Sequence, residues 1–318
     1  MTIHVTKTAV DPTTARVPSL FYDSARAGML DFLEQRRAVE PGLRVLLPSF
    51  IGWSPHEGSG VFDPVRELDL AATFYQVHDD LSVDVADLEA HLGDGGHAVV
   101  VLIHYFGRTD PSLEQIASLV EGHDAVLVED LAHGFFTARA GGPAGRFGGV
   151  LLYSLHKMFP TPESSGGMVS YGDSSLLTDQ QSTRPDLAGF LLDYDWREIG
   201  ERRRAHYLDL EQRLRELSER VGGFELLWPG LSDHDVPQTL PVRVHGAGRD
   251  EIYARMNSEG FGMVSLYHTL IPELRENAAM VALADTIINF PVHQDMRADQ
   301  RDALVASFAA SLAARSAG

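Results

Sequence analysis

The chain has 318 residues, 44% hydrophobic and 22% charged, which supports a sizeable core and argues against general disorder. Its formal charge of −19 opposes binding to nucleic-acid backbones or anionic membranes, which call for basic patches. Cysteine is absent, which excludes disulfides and thiolate metal sites. No apolar run approaches the ~20 residues of a membrane helix, and no apolar signal core opens the chain, so a cytoplasmic protein is expected.

In chain order, "FYDSARAGMLDFLEQ" (21–35) predicts a helix opened by Ser24, Ala25 and Arg26, with Met29, Leu30 and Leu33 on its buried face. "RVLLP" (44–48), "AVVVLI" (98–103), "AVLVE" (125–129), "GVLLY" (149–153) and "MVSY" (168–171) are continuous apolar runs, the pattern of strands buried on both faces. Between the second and third of these, Asp110 and Pro111 read as an N-cap and first helical residue. Leu113, Ile116, Ala117 and Val120 follow as an apolar stripe. Strand, helix, strand in this rhythm predicts an α/β fold with a mostly parallel central sheet flanked by helices.

The pattern changes near residue 185. Tyr207, Leu210, Leu214, Leu217 and Val221 mark a long amphipathic helix over 200–221. "LPVRV" (240–244) and "TIINFP" (286–291) are strand-like, and 297–315 is helical with Leu304, Phe308 and Leu312 on one face. The expected organisation is a large domain over 1–185 and a smaller C-terminal α+β domain over 186–318.

Ligands in parallel sheets sit beyond the carboxyl ends of the strands, so residues just after each strand are candidates. The sequence holds only two lysines, Lys7 and Lys157, against 24 arginines. Lys157 lies in "YSLHK", directly after an apolar run and three residues past Ser154. Asp130 and His133 follow another run in "VEDLAHG", and Trp53 follows a third in "LLPSFIGW". A deprotonating amine, a carboxylate, an aromatic ring and a hydroxyl are the groups that pyridoxal phosphate chemistry requires. A lysine can form a Schiff base with the aldehyde, whereas arginine keeps its proton. The carboxylate pairs with the pyridine nitrogen, the aromatic ring stacks, and Ser154 can bind phosphate.

Phosphate also favours a helix N-terminus with small residues, which Ser24, Ala25 and Arg26 supply, with the glycine-rich loop "HEGSGVFD" (56–63) as a competitor. Neither G-x-G-x-x-G nor GxxxxGK[ST] is present, so dinucleotide and nucleoside-triphosphate binding lose their main support. His104 and His268 are further candidates for contact with substrate. The histidines at 56, 78, 91, 97 and 123 have no metal-ligand spacing, and no metal site is expected.

"VEDLAHGFF", "FGGVLLYSLHK" and the "GG" turn before "MVSY" resemble the DegT/StrS-type aminotransferases, fold-type I pyridoxal phosphate enzymes. "LLPSF", "IHYFG" and "INFPVHQDM" fall in matching order, so the resemblance spans roughly residues 20–300. It implies that Asp130 partners the pyridine nitrogen and that Lys157 is the Schiff-base lysine. It puts His133 beside the cofactor's phenolic oxygen, where relatives often have glutamine. Ser154 and the Ser24–Arg26 turn would hold phosphate, and Trp53 would stack on the ring. It further implies a homodimer that moves an amino group from an amino-acid donor to a ketone or aldehyde: a keto-sugar, a cyclitol or a specialised metabolite. Two features depart from the family: many relatives place the lysine five residues after the serine, and 187–204 has no match to their asparagine-arginine turn. The alternatives are elimination, decarboxylation or cyclisation by the same cofactor, or a catalytically silent homologue acting as a binding partner.

Overall fold

The computed structural model of the protein describes residues 17–55, 57–246 and 248–316; Lys7 and His56 lie outside the described residues. Its strands are β1 (Ser19–Tyr22), β2 (Arg44–Pro48), β3 (Ala71–Tyr75), β4 (Ala98–Ile103), β5 (Val126–Asp130), β6 (Val150–Ser154), β7 (Gly167–Tyr171), β8 (Phe224–Leu226), β9 (Thr239–Val244) and β10 (Ile287–Pro291). Its helices are α1 (Ala25–Val39), α2 (Asp63–Glu67), α3 (Val85–Leu92), α4 (Leu113–Gly122), α5 (Asp186–Leu192), α6 (Trp196–Val221), α7 (Arg249–Ser258), α8 (Ala278–Thr286) and α9 (Ala298–Ser316).

The first seven strands form one sheet in the order β1-β7-β6-β5-β4-β2-β3. Strands β3, β2, β4, β5 and β6 run parallel, and β7 alone runs against its neighbours. The expected mostly parallel sheet is therefore present. Strands β4 and β6 are buried at every position, which explains their unbroken apolar sequences. No helix crosses between β6 and β7, so their pairing is antiparallel, as a short connection requires.

Helix α1 starts where Ser24 Oγ accepts the Ala27 N–H (3.1 Å), and it buries Met29, Phe32 and Leu33; Leu30 is only half-buried. Helix α4 begins later than its sequence suggests. Asp110 lies on the turn before it and is buried, accepting N–H groups from Ser112 (2.8 Å) and Val83 (3.0 Å). Its carboxylate is consumed in tying two loops together, which leaves Ser112 at the helix boundary.

The second sheet, β10-β9-β8, is antiparallel. Helix α6 covers it with Tyr207, Leu210, Leu214 and Leu217, while Val221 is half exposed at the helix's last turn. The stretch after α7 then returns to the first sheet. Leu270, Ile271, Leu274, Met280, Leu283 and Ile287 are buried in the same apolar cluster as β2 and β4. Among the described residues no helix is long and apolar enough to cross a membrane.

Candidate active site

The site is built at the carboxyl ends of β5 and β6. Strand β5 carries Asp130 out of the sheet, and the turn after it brings round His133. Strand β6 ends at Ser154, and one turn of 3-10 helix, Leu155–Lys157, follows at once. A 3-10 turn advances three residues per revolution, so it returns the lysine to the side of the sheet that the serine leaves. The Lys157 Nζ lies within hydrogen-bond distance of Nε2 of His133, at 3.0 Å.

The electrostatics of the three groups are coupled. Burial lowers the basicity of Lys157 by more than the charges of Asp130 and Glu57 raise it, and the charge of Arg26 lowers it further. Burial likewise pushes His133 well below the usual histidine range, with the Lys157 charge adding to the effect, so its imidazole is neutral. Asp130 is raised by burial, an effect only partly offset by the Ala132 N–H, Lys157 and His104. Among the described residues, the one hydrogen bond to its carboxylate comes from Ala132 N–H (2.9 Å). Such a carboxylate gains most from a cationic or N–H partner.

The N-terminus of α1 closes another side. Ser154 pairs with Gly167 across β6 and β7, and Gly167 lies against the backbone of Ser24 and Ala25. A Cβ at Gly167 would run into the Ala25 nitrogen and the Ser24 carbonyl carbon. The absent side chain is what lets the open amides of the helix approach the lysine turn. The Arg26 guanidinium is turned toward the Glu57 carbonyl and Asp63. A cleft of about 600 Å³ opens beside Lys157, lined among others by His156, Asp193, Asp195, Arg202 and Asp295.

Lys157, Asp130, His133, Ser154, Ser24, Ala25 and Arg26 thus lie near one another, and the other three candidates have different surroundings. His104 is fully buried behind β5, where Nε2 meets Glu129 Oε2 at 2.9 Å. Glu129, which with Asp130 ends an apolar strand, accepts N–H groups from Gly145 (2.6 Å), Phe147 (3.0 Å) and Gly148 (2.6 Å) as well. It holds the loop that leads into β6, and its position in "VLVED" was the available signal for it. His268 packs edge-on against Tyr253 of α7 at 4.9 Å, and burial beside Arg249 pushes it down to about 3. Trp53 packs on the central core and donates its backbone N–H to Thr269 (2.9 Å). The aromatic ring that meets His133 edge-on is that of Tyr267, with centroids 6.0 Å apart.

The family model of the DegT/DnrJ/EryC1/StrS aminotransferases matches residues 33–184. The resemblance read in the sequence holds. The match takes in Asp130, His133, Ser154 and Lys157, and the family is one of pyridoxal phosphate-dependent enzymes. The fold agrees over nearly the whole chain with solved structures. Helicobacter pylori PseC, an aminotransferase of pseudaminic acid biosynthesis, is 15% identical with a TM-score of 0.74, covering 93% of this chain and 87% of its own. The pyridoxal phosphate form of Spr1654 from Streptococcus pneumoniae, a putative sugar aminotransferase, is 15% identical with a TM-score of 0.71, covering 94% and 88%. Bacillus subtilis NtdA with bound pyridoxamine phosphate is 13% identical with a TM-score of 0.73, covering 93% and 73%. No curated protein sequence matches the chain.

Proposed function

We propose that the protein is a pyridoxal phosphate-dependent aminotransferase that moves an amino group from an amino-acid donor to a ketone or aldehyde acceptor. The observation that carries this reading is the Lys157 amine, held against a neutral imidazole beside a buried carboxylate. The residues fit the cofactor on two counts. Among the described residues the buried Asp130 carboxylate has one hydrogen bond and no ion pair, and the missing side chain at Gly167 lets the N-terminal backbone of α1 pack directly against the end of β6. Lys157 would hold the cofactor through Nζ, Asp130 would accept a ring N–H, and Ser154 with the Ser24–Arg26 turn would hold the phosphate.

When bound, pyridoxal phosphate supplies an aldehyde that takes amino groups and a ring that draws electrons from the adjoining carbon. The chain's own part is proton management. The lowered basicity of Lys157, caused first by its burial, favours the uncharged amine that attacks a carbonyl. The same Nζ can also take up a proton and hand it back. The His133 imidazole, 3.0 Å from the amine, fixes its direction. Asp130, whose ionisation burial disfavours, would gain most from a cationic ring N–H, which acts on it over short range with little screening. The likeness to Spr1654, described as a sugar aminotransferase, favours a keto-sugar as acceptor, and the family resemblance favours a homodimer.

The test is the absorption spectrum of protein loaded with pyridoxal phosphate, before and after borohydride, beside Lys157→Ala. A visible band that borohydride bleaches and fixes to the wild-type chain, but not to the variant, is expected. Glutamate or glutamine should then convert the bound cofactor to pyridoxamine phosphate. Covalent capture with no conversion by any amino donor would point to elimination, decarboxylation or cyclisation instead. A protein that stays colourless with added cofactor would sink the assignment.

A further inference from the structure

Tyr267 occupies a position for which the packing of either lobe alone gives no reason. It sits at the apex of a turn, in the left-handed region at φ 59°, where residues other than glycine are uncommon. The segment that carries it is anchored at both ends. On one side Val264 donates to Asn289 of β10 (3.1 Å) and Asn289 donates to the Leu266 carbonyl (3.0 Å). On the other, Leu270 bridges to Gly52, and Ile271 donates to the Ile51 carbonyl (3.0 Å) in the loop after β2. Between the anchors the tyrosine is pushed inward against the ends of β4 and β5. Backbone strain held from both sides in this way clusters at ligand sites.

Its ring lies nearly flat on Phe50 (centroids 5.2 Å apart, 26°) and edge-on to Tyr105, Phe106 and His133. Gly52 makes the room: a Cβ there would stand 3.1 Å from Tyr267 Cδ1. Phe106, which the ring meets at 5.4 Å, is itself left-handed at φ 56°. Two strained aromatic residues therefore face each other beside His133. The residue remains half-buried, and among the described residues no hydrogen bond engages its hydroxyl. The charge of Asp130 also reaches the phenol and disfavours its ionisation, after burial itself.

We infer that Tyr267, delivered from the C-terminal half of the chain, is the aromatic side chain against which a planar pyridine ring is held in this site, the part that sequence spacing assigns to Trp53. This rests on the proposed cofactor and deepens it. Tyr267 would support the ring held by Asp130 and Lys157, and the missing side chain at Gly52 leaves room for it. Cofactor occupancy then depends on how well the C-terminal segment is seated on the loop after β2.

Pyridoxamine 5′-phosphate is the probe, because it has no aldehyde and so reads ring and phosphate contacts without the bond to Lys157. Its fluorescence is titrated with the full-length wild-type chain, Tyr267→Phe, Tyr267→Ala, Gly52→Ala and Trp53→Ala. Tyr267→Phe and Trp53→Ala should bind within about threefold of wild type. Tyr267→Ala and Gly52→Ala should bind at least tenfold more weakly. Gly52→Ala keeps every side chain of the cluster, so it carries the test if Tyr267→Ala fails to fold. Wild-type binding that neither substitution weakens overturns the inference alone, as does a Trp53→Ala loss larger than theirs. A wild-type chain that binds neither this probe nor pyridoxal phosphate overturns the inference together with the function it rests on.

Discussion

The His104–Glu129 pair sits directly behind Asp130, and its charges are set by opposing forces. Burial works to lower His104, but its bond to Glu129 and the charges of Glu129, Asp110 and Asp130 outweigh it, so the imidazole is raised. Burial works to raise Glu129, but His104 and the amides of Gly145 and Gly148 hold it low. The glutamate's share of stability is present above its ordinary value of 4.5 and is lost as acid titrates the folded group. The histidine's share is complete below its ordinary 6.5 and is lost as pH rises through its raised folded value. The stability gap between wild type and His104→Asn in urea should therefore be larger at about pH 6 than at about pH 9. An equal gap would mean that the imidazole carries no charge. Glu129→Gln puts an amide N–H where backbone N–H groups already point, and should cost about 3 kcal/mol by the same measurement.

At the scale of elements, the junction of α1, β6 and β7 depends on one missing side chain. Gly167→Ala sets a Cβ against backbone atoms of Ser24 and Ala25, which cannot rotate away as a side chain can. The helix N-terminus has to move off the lysine turn. We expect a loss of about 1–3 kcal/mol in stability, as for other overpacked sites, and weaker phosphate binding by the apo protein. Unchanged affinity for pyridoxal phosphate would show that α1 does not hold the phosphate.

The elements themselves were legible in proportion to their burial. β2, β4, β5 and β6 stand out because nothing polar interrupts them until their ends. β3 begins with two exposed residues, Ala71 and Ala72, and β1 is a four-residue edge strand, so neither has an apolar run to announce it. The direction of β7 is hidden for another reason: it follows from the lack of a crossover helix, which is a property of the connection.

The site was legible in the same uneven way. Lys157, Asp130 and His133 follow strands and could be read off the strand ends. Tyr267 could not, because its turn has no periodicity and its place depends on anchors in β10 and in the loop after β2. The sequence pointed to the neighbouring His268, one residue away and facing Tyr253.

Across the whole molecule, the composition break near residue 185 does not coincide with a break in the core. Trp228, Leu270, Ile271, Leu274, Met280, Leu283 and Ile287 are buried with β2 and β4, and Trp228 donates its indole N–H to the Asp80 carbonyl (2.9 Å). A fragment ending at residue 185 leaves that face bare. Burial of one such large side chain is worth roughly 1.5–3 kcal/mol, so seven together are of the same order as the usual net stability of about 5–15 kcal/mol. The fragment should aggregate or show no cooperative thermal transition by circular dichroism. The full chain should unfold its two sheets in one step. A soluble fragment with a sharp melt would make the large lobe an independent folding unit.

The returning strip from Leu270 to Ile287 also sets a clock on the ribosome. The sheet that carries Lys157 and Asp130 is complete in sequence long before the residues that seal its far face have been made. Roughly 100 residues must still be added, which at about 5–20 residues per second is some 5–20 s of exposed apolar surface. For that interval the nascent chain is a client for holding chaperones. Slower codons placed after the last strand of the large sheet should lower soluble yield without changing one amino acid.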